Sequence, residues 1–408
     1  MSDTGPKRPF YSSIPAQTLI ALLFNTLSLV AGGLISIFTP QFEAFPWILA
    51  LFPPVLTIRG GIGGIFSGNL ATMLHIGLIR PQMRKNTPVY YQLISSIFVI
   101  TLVDTLIMGG VSFLLNLALG RVSVQHLLVF MVVPPVACVT AMAISIPLTM
   151  MIAIMTFRRG LNPDILVYPI LASVNDIVVS TVFVATVFLV LWGGGGYTIL
   201  LWATFLLILV VTGYIAWQNW RVPFFFKTIK EGATVVVTSS VFGSLNGAFL
   251  AGMSAELLRY PGVVVLYPGL TNALGNIGAI IGSTTTTNLA LGYIRDLRDE
   301  VKASISTIMQ VESVALLIHV FFGLVTYAIV KPSVKAADLA SLVTVAALSN
   351  LISFLPIAIV ALAVAHAAYK RGLNPDNVAI PVITTVADTA ATLTLFLVLN
   401  ILDLIGLF

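Results

Sequence analysis

Two aspartates, Asp176 and Asp388, sit inside long stretches that carry no other charge. Each follows a copy of the same six residues, RGLNPD, by twelve positions. The copies, Arg159–Asp164 and Arg371–Asp376, stand 212 positions apart. An ionisable side chain at membrane depth is costly to maintain, so its default reading is functional. Two carboxylates that converge offset the charge of a divalent cation. Mg²⁺ suits such a site, because it dehydrates reluctantly and is commonly held by one or two carboxylates and several waters. The neighbours are small or polar: Ala172, Ser173 and Asn175 before Asp176, Thr384 and Thr385 before Asp388. Ala172 and Thr384 lie one turn ahead of the aspartates and offer a carbonyl or a hydroxyl to the ion's water shell. The plainer alternative is that each aspartate hydrogen-bonds a neighbouring helix.

A second pair of segments is rich in glycine. Thr57–Thr72 aligns with Thr271–Thr286 at an offset of 214, placing Gly61, Gly64 and Gly68 on Gly275, Gly278 and Gly282, and Pro54 on Pro268. Glycines let membrane helices pack closely. They also let backbone line a pathway, where it faces protein or water. The companions Asn69, Asn276, Ser283 and Thr284–Thr287 tilt the reading towards a pathway. Two more acids, Asp104 and Glu312, fall within apolar runs. At the repeat offset Glu312 corresponds to position 100, one turn from Asp104, so both halves are expected to present a carboxylate on equivalent faces. A second ion site, a proton-titrating group and a pair with Arg59 all remain open for them.

The elements that must position these residues are membrane spans. Hydrophobic residues make up 58% of the chain and charged residues 9%, against about 25% charged in average soluble domains. Apolar runs fall at 18–38, 47–79, 90–118, 125–156, 166–191, 198–217, 234–253, 262–293, 304–330, 339–368 and 378–407. Each is long enough to cross a hydrocarbon core of about 30 Å. The fold class is therefore an all-α polytopic membrane protein of about eleven transmembrane helices. With the N-terminus inside, fifteen of the 20 Lys and Arg fall in cytoplasmic segments, four fall outside, and Arg59 lies within a span. That bias orients the chain N-terminus in and C-terminus out.

Span counting then divides the chain into a cytoplasmic segment (1–17), a first five-helix repeat (18–191), a linker (192–232) and a second repeat (233–408). The linker holds one span and a cytoplasmic connector, Gln218–Gly232. Two five-span units joined directly would be inverted; the sixth span makes them parallel, related by a pseudo-two-fold axis along the membrane normal. GGGG at 193–196 reads as an external turn.

Other chemistry is poorly supported. One cysteine, Cys138, gives neither a disulfide framework nor a cysteine metal site. His75, His126, His319 and His366 lack zinc-binding spacing, and no ATP-binding or nucleophile-elbow motif occurs. The net charge of +5 is spread over short loops, which argues against nucleic acid. An intramembrane enzyme acting on a lipid-linked substrate would need a tighter cluster of acids or a nucleophile set.

The order of these motifs resembles the membrane domain of MgtE-type magnesium transporters and their solute-carrier relatives. Pro54 or Pro268 is followed by a glycine segment, then RGLNPD, then the aspartate span, and the series occurs twice. The resemblance covers about 18–191 and 233–408. It implies a hydrated Mg²⁺ bound on the pseudo-two-fold axis, with Asp176 and Asp388 as the pore aspartates. The family's G-N-x-G element is intact as Gly275–Gly278, while the first half reads Gly61-Ile62-Gly63-Gly64 without the asparagine. The TT before the pore aspartate is likewise kept only in the second half. The soluble N-terminal and CBS regulatory domains of bacterial MgtE have no counterpart in this reading. Cytoplasmic Asp164, Asp376, Asp296, Asp299 and Glu300 are candidates for sensing Mg²⁺. The expected function is divalent-cation transport, with Na⁺- or H⁺-coupled exchange as the alternative, by a pseudo-dimeric monomer in the plasma membrane, bedded in lipid.

Overall fold

The computed structural model describes residues 14–75, 77–158, 163–192, 194–290, 297–330, 339–371 and 375–404. Inside a bilayer every backbone N–H and C=O must find a partner within the protein, which leaves helices as the spanning element for this sequence. Among the described residues, eleven helical stretches are long and apolar enough to cross. The helices are α1 (Ile14–Phe24), α2 (Ser28–Ser36), α3 (Trp47–His75), α4 (Pro88–Ala118), α5 (Leu127–Arg158) and α6 (Pro163–Trp192). After them come α7 (Gly194–Asn219), α8 (Pro223–Gly252), α9 (Ser254–Arg259), α10 (Pro261–Ala290), α11 (Leu297–Val330), α12 (Leu339–Lys370) and α13 (Pro375–Leu404). Five of them open on proline, whose missing N–H costs nothing in a first turn. Two of those prolines, Pro163 and Pro375, belong to the RGLNPD copies; 159–162 and 372–374 lie outside the described residues.

Three boundaries differ from the sequence reading. The first span is not one helix: a single 3₁₀ turn, Asn25–Leu27, separates α1 from α2. Asn25 of that turn and Ser28, the residue after it, bond α6 and α10 rather than their own helix. α8 starts at Pro223 and takes in most of the expected connector, because the Lys227–Glu231 pair (3.8 Å, one turn apart) lets a charged stretch continue the helix. α7 starts at Gly194, so three of the four glycines of 193–196 form its first turn rather than an external turn.

Burial ranks the helices. The apolar windows of α3 and α10 are 94% and 100% buried, whereas that of α7 is 11% buried. The repeat-equivalent pair α3 and α10 thus forms the centre, and α7 lies at the lipid-facing edge. Each central helix is packed by the first helix of the opposite repeat. Pro54 cannot donate to the carbonyl of Ala50, and Gly247 of α8 closes on that oxygen so tightly that a Cβ would overlap it. In the other half Gly32 of α2 lies in the same way against the carbonyl of Val265 in α10. Both glycines and both carbonyls are related by 215 positions, so the swapped packing obeys the pseudo-symmetry. Small residues allow this backbone approach between membrane helices.

Candidate functional site

Asp176 on α6 and Asp388 on α13 are each met by the central helix of the opposite repeat. Asn272 of α10 donates to Asp176 Oδ2 at 2.8 Å, and Thr57 of α3 donates to Asp388 Oδ2 at 2.8 Å. Thr57 and Asn272 are again 215 apart, so these contacts correct the 214 register of the glycine segments by one residue. The Pro53-Pro54 doublet hides the slip, since either proline can be set against Pro268. In the contact register Gly60-Gly61-Ile62-Gly63 faces Gly275-Asn276-Ile277-Gly278, and the first-half element differs from G-N-x-G by Gly61 alone.

The two aspartates have unlike surroundings. Arg59 of α3 places Nη2 2.7 Å from Asp176 Oδ1, with 8% and 1% of the two side chains exposed. Its Nη1 donates to the carbonyl of Ala172 at 3.2 Å, so the carbonyl expected to face an ion's water shell faces a guanidinium. Ser28, beside the broken first span, donates to Asp176 Oδ2 at 2.6 Å. Asn272 also reaches Ser28 Oγ at 2.8 Å and Ser173 Oγ at 3.2 Å. Behind this layer Asn25 Oδ1 accepts from Ser173 Oγ at 3.0 Å and from Asn276 Nδ2 at 2.7 Å. Asp388 is only partly buried, and no ion pair of the described residues includes it. Thr57 and Arg59, which meet Asp388 and Asp176 respectively, stand two residues apart on α3.

Other expected site residues divide. Asn175 is 3% exposed and its Oδ1 has no partner. Its Nδ2 would lie 3.7 Å from a Cβ at Gly63, while a Cβ at the buried Gly60 would meet nothing within 4 Å. Among the first-half glycines, Gly60 therefore borders open space. Gly61 would make only ordinary contacts. In the second half the bland reading wins: a Cβ at Gly278 would strike Ile383, and one at Gly282 would lie 2.7 Å from it. Gly275 packs on Thr384 at an ordinary 3.5 Å. Thr385 turns from the site to Ser239 of α8 (2.7 Å). Asn69 donates to the Ile65 carbonyl of its own helix, and the Gly64 carbonyl accepts from Ser67. The side chains of Ser283, Thr286, Thr287, Asp164, Asp376, Asp296, Asp299 and Glu300 lie outside the described residues.

Asp104 and Glu312 do not join this site, and neither pairs with Arg59. Nor do they face equivalent neighbours: Asp104 is bonded by Ser240 of α8, across the repeats, and Glu312 by Asn350 of α12, within its own repeat, at 2.9 Å. A one-turn offset on helices packed by different neighbours does not preserve the face. Among the described residues no three His, Cys, Asp or Glu side chains come together to hold a metal.

Sequence reasoning missed Asn25, Ser28, Thr57 and Asn272. The visible signal was the lone Asn-Thr-Leu-Ser stretch inside an otherwise apolar first span, since polar side chains inside membrane helices are there for partners.

Two repeats of five spans, each bringing one membrane-depth aspartate to the central helix of the other, define a membrane transporter of pseudo-dimeric construction. The chain belongs to the MgtE family, described as divalent cation transporters, which matches residues 52–187 and 267–398. Solute carrier family 41 member 3 of Rattus norvegicus is 25% identical over 287 residues, covering 68% of this chain and 60% of that protein. Member 3 of Mus musculus is 25% identical over 297 residues, with 70% and 59% covered. Member 2 of Homo sapiens is 22% identical over 435 residues, covering 99% of the chain and 73% of that protein. The chain thus spans about 60% of the length of the member 3 relatives. No solved structure matches it.

Proposed function

We propose that the chain carries Mg²⁺ across the plasma membrane between its two repeats, with Asp388 receiving the ion and Asp176 joining it when Arg59 withdraws. One observation carries the reading: Arg59 of α3 holds one buried carboxylate, and Thr57, two residues away on the same helix, bonds a second carboxylate that no ion pair of the described residues includes. The three groups sum to one negative charge. Without a dication, two converging carboxylates would repel each other in a poorly solvated site. Arg59 relieves that as a tethered counter-ion. When a hydrated Mg²⁺ arrives, its two charges match the two aspartates, and the guanidinium becomes the surplus charge.

A pore whose acid is occupied by a fixed cation is closed, so the arrangement favours a carrier-like cycle over a permanently open channel. The polar layer of Ser28, Asn272, Ser173, Asn25 and Asn276 supplies partners for water around the ion. Membership of a divalent-cation transporter family supports the substrate class. One chain suffices, since both aspartates come from it. With the N-terminus inside, the membrane potential favours inward movement by about 2.3 kcal/mol per charge per 100 mV.

The test is Mg²⁺ uptake into liposomes that contain the purified protein, read by a Mg²⁺-sensitive dye. Asp388→Asn should lower the rate at least about tenfold, corresponding to about 1.4 kcal/mol of lost ion stabilisation. Unchanged uptake would remove Asp388 from the path.

A further inference from the structure

Among the described residues, Asp104 is the one deeply buried acid that the cation site does not use. It lies midway along α4 and is 1% exposed. Oδ1 accepts from Ser240 of α8; Oδ2 has no hydrogen-bond partner, and no ion pair of the described residues includes Asp104. The titratable groups around it give no compensation. From α5 it is approached by Cys138, which is fully enclosed. The one Lys or Arg of α3, Arg59, is turned to Asp176. α8 presents Ser240, and its charged residues Lys227, Lys230 and Glu231 lie nine or more positions away. α7 contains no Asp, Glu, Lys, Arg, His or Cys.

An unpaired carboxylate buried in this way would cost several kcal/mol, and such a group takes up a proton instead. Polar side chains lie on both sides of it, but towards the starts of α4 and α8 Ser96, Thr101 and Thr228 bond backbone carbonyls. Towards the ends of α4 and α8, Ser112 Oγ donates to Ser244 Oγ at 2.9 Å and Asn116 Nδ2 to the Ser112 carbonyl at 2.9 Å. Asn116 Oδ1 is buried without a partner, and Arg121 beyond it bonds the Ala248 carbonyl. In the other direction Ile97, Ile100 and Val236 are buried, and Gly232 packs against Ile100 and Ile65. The file therefore leads to the end of the bundle that charge counting places outside. α8 also links Asp104 to the cation site. Ser240 bonds Asp104, while the adjacent Ser239 is bonded by Thr385, one turn before Asp388.

We infer that Asp104 is a proton-binding site whose proton leaves by the outer end of the α4–α8 file in exchange for the entering dication. Losing the proton leaves an anion that one serine hydroxyl cannot satisfy, and α8 is the element that must respond. The inference of exchange rests on the transport reading above; the binding of the proton does not.

Two measurements on the purified protein in liposomes separate these. Infrared difference spectra between acid and alkaline buffer without Mg²⁺ should show a protonated-carboxyl band that Asp104→Asn removes. A band unchanged in Asp104→Asn overturns the site. With an enclosed pH dye, Mg²⁺ entry should be accompanied by proton exit, lost in Asp104→Asn; identical proton movement in the variant overturns the exchange. If Asp104→Asn fails to assemble, Ser240→Ala keeps the carboxyl and should move the pH at which the band appears, whereas an unmoved band contradicts the assignment. If the wild type moves no Mg²⁺, the transport reading falls, and the infrared band still decides Asp104.

Discussion

Asp176 and Asp388 occupy equivalent places in a duplicated sequence, yet one is sealed against an arginine and the other is partly open. The difference traces to single residues. Position 59 is arginine where its contact-register equivalent, 274, is leucine. Ser28, which donates to Asp176, corresponds to Gly243, which has no hydroxyl to give Asp388. The aspartates were legible from their isolation in apolar runs. The pair with Arg59 was not, because nothing in a linear sequence says which of several buried acids an arginine will reach. Removing one partner of a buried pair costs about 3–5 kcal/mol, since it strands the other charge. Asp176→Asn should therefore lower the thermal unfolding temperature markedly, and Asp176→Asn with Arg59→Met should recover most of the loss. Equal losses in the single and double variants would show that the pair does not hold the site together.

Elements carry the next level of asymmetry. The first span breaks at Asn25–Leu27 so that Asn25 and Ser28 can bond across to α6 and α10, whereas α8, its counterpart, runs unbroken. A hydropathy window averages over such a turn, and for that reason the span looked continuous. The central helices owe their close approach to Gly247 and Gly32. Gly247→Ala would push a methyl into the Ala50 carbonyl and should cost about 1–3 kcal/mol of stability, as overpacking does. Gly60→Ala, which meets open space, should leave stability unchanged, while Gly60→Leu should keep the fold and reduce Mg²⁺ uptake by filling that space. Uptake by Gly60→Leu at the wild-type rate would place the ion's route elsewhere.

At the scale of the whole molecule, the repeats are not two bundles set side by side. α8 of the second repeat packs on α3 and α4 of the first, and α2 of the first packs on α10 of the second. The eleven spans, the membrane class and the duplication were readable from composition, length and the RGLNPD copies. The exchange of first helices was not, because a repeat pattern records that two units exist and not how they interlock. Cutting the chain between α7 and α8, at 220–222, should therefore give halves that assemble when produced together and fail to fold when produced apart. A first half that is stable alone would contradict the interlocked packing.

The stand-in role proposed for Arg59 at Asp176 is tested most directly by Mg²⁺ binding to Arg59→Gln, followed by titration calorimetry. Removing the tethered competitor leaves two carboxylates to one ion. The dissociation constant should fall by about tenfold or more, equivalent to about 1.4 kcal/mol. A dissociation constant equal to or weaker than that of the wild type would mean that the ion and the guanidinium do not share Asp176.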